Sequence, residues 1–137
     1  MKKLFLFGPI SLFIVYSCRQ EMKHTSPNGR LLSFQSKLIY TVDDLEKLDN
    51  NVYQGIRSDN FNSKTDTVKY FKGEIYISYL RTTSGCSEYT GDIQFNKDTI
   101  KLLVINASDI VCSEENAWRV VYEIENKDNK KYVIQKY

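Results

Sequence analysis

The sequence predicts a mainly β domain, an α+β chain with one short helix, folded as a small antiparallel barrel or sandwich. The first observation is that apolar and polar residues alternate with period two from Thr67 onward, as in half-buried strands. The second is the content of ten Tyr and seven Phe, because Tyr, like Val, Ile and Thr, suits a pleated surface. The third is the scarcity of Ala, which disfavours an all-helical fold.

The chain of 137 residues divides into three segments of different character. Residues 1–17 are predicted to form a signal peptide. Residues 18–30 lack apolar periodicity and contain Ser26-Pro27-Asn28-Gly29, so they are predicted to form a flexible tether. Residues 31–137 are predicted to form a single β-rich domain, which is long enough to bury a core of its own.

The N-terminal segment has the organisation of an export signal. Lys2 and Lys3 give it a positive start, and an uncharged, largely apolar stretch of 13 residues follows from Leu4 to Tyr16. A helix needs about 20 apolar residues to cross a bilayer. The stretch is therefore too short for a span, and it has the length of a signal-peptide core.

This segment ends in Val15-Tyr16-Ser17-Cys18, which resembles the lipobox of bacterial lipoproteins. Val15 takes the aliphatic position, Ser17 a small-residue position and Cys18 the invariant lipidated position, whereas Tyr16 is larger than the usual residue. The resemblance implies cleavage before Cys18, lipid attached to Cys18, and a membrane-anchored protein of the cell envelope, periplasmic or surface-facing. Two alternatives remain open: an ordinary secretory signal with a chance cysteine, and an uncleaved anchor.

A short helix is predicted from Thr41 to about Asn50. Thr41 is a good N-cap, and the acidic pair Asp43-Asp44 is favourable at the positive end of the helix dipole. Leu45 and Leu48 lie three residues apart, so both are expected to face the core.

Predicted strands account for the rest of the domain. Residues 31–40 have mixed periodicity and form either a first strand or an irregular lead-in. Ile75, Ile77 and Tyr79 share one face of a strand that begins after Gly73.

Two turns connect the later predicted strands. Asn96-Lys97-Asp98 joins two strands into a hairpin, and residues 126–129 form a second turn. After that second turn, Tyr132 and Ile134 come back as the last strand of an antiparallel sheet.

The three cysteines of the chain predict one disulfide bond. With Cys18 lipidated, Cys86 and Cys112 are left over, and two such thiols normally pair in an oxidising compartment. A bridge of this size stabilises a fold by about 3 kcal/mol in the chain-entropy model. The alternative is two independent buried thiols. Neither cysteine belongs to a C-x-x-C pair, so the sequence gives no support to a redox or zinc role.

The segment around Cys86 also resembles part of the META domain, a small β-rich module of exported bacterial proteins. The matching residues, in order, are Gly85, Cys86, Tyr89, Gly91, Ile93 and Cys112. Ser87 stands where that family has Asn, and the helix that the family carries after its second cysteine would have to fit in about ten residues. The resemblance implies a stress-associated envelope protein without known catalysis.

Charge and histidine content exclude several functional classes. Without the leader lysines the chain has 17 basic and 17 acidic residues, so it lacks the positive charge expected of a nucleic-acid-binding protein. The only histidine is His24, in the predicted tether, which argues against Ser-His-Asp, Cys-His and histidine-metal sites. We therefore predict no catalytic residue, no metal and no cofactor. The acidic pairs at residues 43–44 and 114–115 are predicted to be solvated.

Two further patterns leave alternatives open. Asp66-Thr67-Val68 and Asp98-Thr99-Ile100 resemble the sequon that some bacteria O-glycosylate, and they are also common by chance in strands. Clustered tyrosines form either a binding face or half-buried strand positions. These are Tyr70, Tyr76, Tyr79, Tyr89, Tyr122 and Tyr132.

The function expected from the sequence is that of a membrane-anchored lipoprotein acting as a non-catalytic binding or envelope-maintenance module. The alternative is an inhibitor or immunity protein that blocks an envelope hydrolase. The expected partners are the membrane, through the lipid anchor, and, as a further candidate, a protein of the envelope.

Overall fold

The computed structural model describes residues 27–62, 64–110 and 112–137, so the predicted signal peptide, Cys18 and most of the predicted tether lie outside the described residues. Within the described part the chain forms seven strands and two helices. In chain order these are β1 (Leu31–Tyr40), α1 (Val42–Leu45), α2 (Asn50–Arg57), β2 (Thr67–Phe71), β3 (Gly73–Ser84), β4 (Tyr89–Asn96), β5 (Thr99–Asn106), β6 (Glu115–Asn126) and β7 (Val133–Lys136). Neither helix is long and apolar enough to cross a membrane.

The strands form two sheets packed as a sandwich, which confirms the predicted mainly β fold. The first sheet has the order β1-β6-β3-β2, and all its neighbours are antiparallel. The second sheet has the order β4-β5-β7. The sheets do not close into a barrel, so the sandwich is the correct one of the two predicted architectures.

The main core lies between the two sheets. Ile75, Ile77 and Tyr79 are fully buried, as their shared face predicts. The other buried members of this core are Ile93, Ile100, Leu102, Val120, Tyr122 and Ile124. Alternate residues of these strands thus point into the space between the sheets, where their apolar surface is removed from water.

The antiparallel return of the last strand, predicted from the turn at residues 126–129, is wrong. β7 pairs in parallel with β5, with Val133 opposite Thr99. The physical reason is that β6 already has β1 on one edge and β3 on the other. The buried Asn126 side chain bonds both the N–H and the C=O of Lys130, and this loop carries the chain across to the second sheet.

The single predicted helix is replaced by two helices. α1 begins after Thr41 as predicted, and the Asp44 carboxylate accepts a hydrogen bond from the Thr41 backbone N–H at 3.0 Å. The hydrogen bonds from the Thr41 hydroxyl and N–H lower the pKa of Asp44. Asn50 begins a second helix instead of ending the first, because the Asp49 carboxylate accepts from the Asn51 N–H at 2.9 Å and caps α2.

The helices cover the outer face of the first sheet near one end. A second apolar cluster forms there from Leu45, Ile56, Leu80 and Ala117, and Leu48 packs against it. Leu45 and Leu48 therefore face the core as predicted. We call residues 41–59, 85–88 and 107–115, which comprise both helices, the two cysteine loops and the start of β6, the helical end.

Candidate functional site

The two cysteine loops are joined by the predicted disulfide. Cys86 and Cys112 are bonded, with their Cα atoms 5.6 Å apart. Cys86 lies between β3 and β4, and Cys112 lies just before β6, so both stand at strand ends where the bond does not interrupt a ladder. The disulfide therefore connects two loops of the helical end.

Hydrogen bonds hold the loop of residues 107–114 at two further points. The Ser84 hydroxyl accepts from the Cys112 N–H at 2.9 Å and donates to the Cys112 C=O at 3.1 Å. The Ser87 hydroxyl donates to the Ile110 C=O at 2.7 Å. Ile110 itself is 63% exposed, so the tied loop presents an apolar side chain to solvent.

A cleft of about 430 Å³ opens between the two helices and the start of β6. Its apolar lining comes from Val42, Leu45 and Leu48. Polar groups share the lining with these side chains, and they are Glu46, Asn50, Tyr53 and Glu115. The cleft thus combines apolar side chains with polar ones, and concave sites that bind ligands contain both kinds of group.

The two carboxylates of the cleft differ in their contacts. The Tyr53 hydroxyl donates to Glu115 at 3.3 Å, and the Arg57 guanidinium lies 3.7 Å from the same carboxylate. Glu46 is exposed; its backbone N–H donates to the Val42 C=O at 3.1 Å, whereas its carboxylate makes no hydrogen bond or ion pair with the part of the chain that the structure describes. Glu115 is thus held in position, whereas Glu46 is free to meet a ligand.

The helical end is strongly acidic. Nine acidic residues lie in it against two basic residues, Lys47 and Arg57. The acidic residues are Asp43, Asp44, Glu46, Asp49, Asp59, Glu88, Asp109, Glu114 and Glu115. Residues 18–137 carry 17 basic and 17 acidic residues, so this charge is balanced by basic residues elsewhere.

A buried ion pair joins the loop before β2 to the last strand. Asp66 and Lys136 are 2.5 Å apart, and their side chains are 1% and 4% exposed. Asp66 also accepts from the Asn62 N–H at 2.8 Å, and Lys136 also donates to the Asn60 C=O at 3.0 Å. These bonds satisfy charges that would otherwise be expensive to bury.

The clustered tyrosines do not form one surface. Tyr79 and Tyr122 are fully buried and stack with their ring centroids 6.1 Å apart. Burial raises the pKa of both phenols. The Tyr70 hydroxyl donates to the Tyr132 C=O at 3.1 Å, so these residues connect β2 to the loop before β7. The half-buried alternative describes Tyr70, Tyr76, Tyr89 and Tyr132, whereas Tyr79 and Tyr122 lie in the core.

The chain matches no known protein family, and no curated protein or solved structure shows a significant similarity to it. The META resemblance stays a prediction, and it now meets one difference. β6 begins at Glu115, three residues after Cys112, so no helix follows the second cysteine.

The other predicted site residues fall in different places. Cys18 and His24 lie outside the described residues. Asp66 of the first sequon is engaged by Lys136, and Asp98 of the second forms an ion pair with Lys130. Glycosylation of either sequon stays a prediction. No three His, Cys, Asp or Glu side chains converge as a metal site in residues 27–62, 64–110 and 112–137.

Sequence reasoning missed the cleft. Its lining combines helix residues 42–53 with Glu115, which lies more than sixty positions further along the chain. One local signal was present in the sequence. Asp49 is a good N-cap residue, and it would have indicated that a second helix begins after it. The contact between the helices and the start of β6 had no local signal.

Proposed function

We propose that this chain is an exported lipoprotein, anchored through Cys18 to a membrane of the cell envelope, and that its domain is a non-catalytic module that binds a protein partner. The lipobox-like residues 15–18 support the anchor. The bond between Cys86 and Cys112 supports export, because disulfides persist in oxidising compartments and are rare in the cytosol.

The observation that carries the binding role is the cleft of the helical end. It combines an apolar lining with an exposed carboxylate, and it lies beside loops that a disulfide and side-chain hydrogen bonds hold in place. A site on a rigid support loses less conformational freedom on binding, which favours affinity.

The alternative function, an inhibitor or immunity protein that blocks an envelope hydrolase, is favoured by Ile110. This side chain is 63% exposed at the tip of a loop tied by the disulfide and by Ser87. A rigid loop with a projecting apolar residue suits insertion into the pocket of an enzyme.

A pull-down from envelope extract separates the two functions. One stoichiometric hydrolase partner supports the inhibitor, and a protein partner that is not a hydrolase supports the binding module. Retention of glycan or lipid alone would contradict both and support an envelope-maintenance role.

The anchor is tested by replacing the lipidated cysteine. Cys18→Ser should abolish incorporation of labelled fatty acid and release the protein from the membrane fraction. The reason is that the acyl chains supply the membrane affinity, at about 0.8 kcal/mol for each buried methylene. Metabolic labelling followed by fractionation measures both effects.

Cys112→Ser is the matched control, because it makes the same chemical change outside the lipobox. It should keep the fatty-acid label and the membrane location. A Cys18→Ser protein that stays full length and membrane-bound would show an uncleaved anchor and would overturn the lipoprotein proposal.

A further inference from the structure

We propose that the cleft of the helical end binds a basic side chain of a protein partner, an arginine or lysine flanked by apolar residues. This inference rests on the proposed binding function and names the chemistry of the partner. Of the residues that line this cleft, Val42, Leu48, Glu46 and Glu115 carry the inference.

The shape and lining of the cleft suit a basic side chain. Arginine and lysine carry an apolar stem and a charged head. The stem would lie on Val42 and Leu48, and the head would reach the carboxylates of Glu46 and Glu115. A volume of about 430 Å³ is larger than one ion needs, so it accommodates a side chain together with part of its neighbours.

The net negative charge of the helical end also favours a basic partner. Nine acidic and two basic residues give the helical end a negative potential. Such a potential attracts a basic surface and accelerates its association, and it repels nucleic acid and anionic lipid. A basic protein segment is therefore the occupant favoured by both the lining and the charge.

The carboxylates of Glu115 and Glu46 would contribute to binding in different ways. The Tyr53 hydroxyl and the Arg57 guanidinium already hold Glu115, so this carboxylate is oriented before the partner arrives. Glu46 lacks such contacts within the described residues, so it can pair with the incoming cation without breaking an existing bond. Replacing Glu46 should affect binding more than folding.

The test is fluorescence anisotropy with full-length protein in an uncharged detergent. The probe is a labelled peptide of alternating Arg and Leu with blocked ends, and the comparison peptide alternates Glu and Leu. The basic peptide should bind and the acidic peptide should not. Glu46→Lys should weaken binding about tenfold, since it places a like charge beside the bound cation. Raising the salt from about 50 mM to about 300 mM should also weaken binding, because exposed charges are screened.

Glu74→Lys is the matched control, because it makes the same charge reversal near the β2–β3 turn, outside the helical end. It should leave the affinity within about twofold. Val42→Ser should weaken binding about threefold by removing part of the apolar lining. Circular-dichroism melting curves of each variant check that the fold is kept.

Three results would overturn the inference: equal loss of affinity in the Glu46 and Glu74 variants, equal binding of the acidic peptide, or failure of the folded protein to bind the basic peptide. None of them affects the fatty-acid labelling of Cys18. Failure of this inference is therefore distinguishable from failure of the lipoprotein proposal.

Discussion

Individual buried polar residues hold the last strand to the loop before β2. Lys136 and Asp66 are almost fully removed from solvent, although they belong to residue types that are seldom buried. Their mutual contact and their hydrogen bonds to Asn60 and Asn62 replace the lost hydration. At the scale of single residues, the position of the last strand thus depends on the buried ion pair between Asp66 and Lys136.

Lys136→Met should lower the free energy of unfolding by about 3–5 kcal/mol, because it leaves the Asp66 carboxylate buried without its cation. Adding Asp66→Asn should recover much of this loss, since the remaining group is neutral and still polar. Denaturant unfolding of both variants measures the difference.

Lys130→Met is the control, because Lys130 pairs with Asp98 at the surface, where solvent screens the interaction. It should change stability little. If Lys136→Met and Lys130→Met lowered the free energy of unfolding equally, the burial of the Asp66–Lys136 pair would not be the cause of its effect on stability.

At the scale of elements, the loops of the helical end are joined by a disulfide, by side-chain hydrogen bonds and by the backbone bonds Gly85 N–H to Glu114 C=O and Ala107 N–H to Glu88 C=O. The disulfide joins loops separated by 26 positions in the chain. Ser84 and Ser87 add hydrogen bonds to the same loop of residues 107–114. Because loops have few buried apolar contacts of their own, such links supply much of their order.

Cys112→Ser should lower the melting midpoint by about 10 °C, corresponding to about 3 kcal/mol of lost chain constraint. Calorimetry measures the midpoint, and addition of reductant to the unmodified protein should reproduce the shift. Non-reducing mass spectrometry should find no free thiol at Cys86 or Cys112. A free thiol at both positions in the exported protein would contradict the bridge.

At the scale of the whole molecule, the two sheets come into direct contact where β4 crosses β1. Gly91 is buried against the Phe34 ring, and Phe34 in turn packs edge-on against Tyr122 with ring centroids 5.0 Å apart. A side chain at residue 91 would overlap the Phe34 ring. The absence of a Cβ at this point therefore allows the sheets to approach.

Gly91→Ala should destabilise the protein by about 1–3 kcal/mol, because the added methyl group overpacks the interface between the sheets. Gly29→Ala is the matched control, since a Cβ there meets no atom within 4 Å. Thermal unfolding compares the two variants. If both variants unfold at the same midpoint as the unmodified protein, a methyl group at residue 91 fits between the sheets and the prediction is wrong.

Much of the fold was predictable because local patterns agree with tertiary burial. The face shared by Ile75, Ile77 and Tyr79 follows from period two, and the start of α1 follows from Thr41. The disulfide followed from counting cysteines under the prediction that Cys18 is lipidated and the chain is exported. The cleft was not predictable, because Glu115 reaches the helices only through the position of β6 in the sheet.

The sequence by itself determined the β-rich class, the strand faces and the cysteine pair, since residue type and spacing along a short segment decide these properties. Tertiary structure alone decided that β7 crosses to the second sheet, that Lys136 is buried, and that an acidic cleft forms at the helical end. The physical reason is that these features depend on which edges remain free and which distant groups meet. The periodicity of a single segment specifies neither the free edges of a sheet nor the contacts between distant groups.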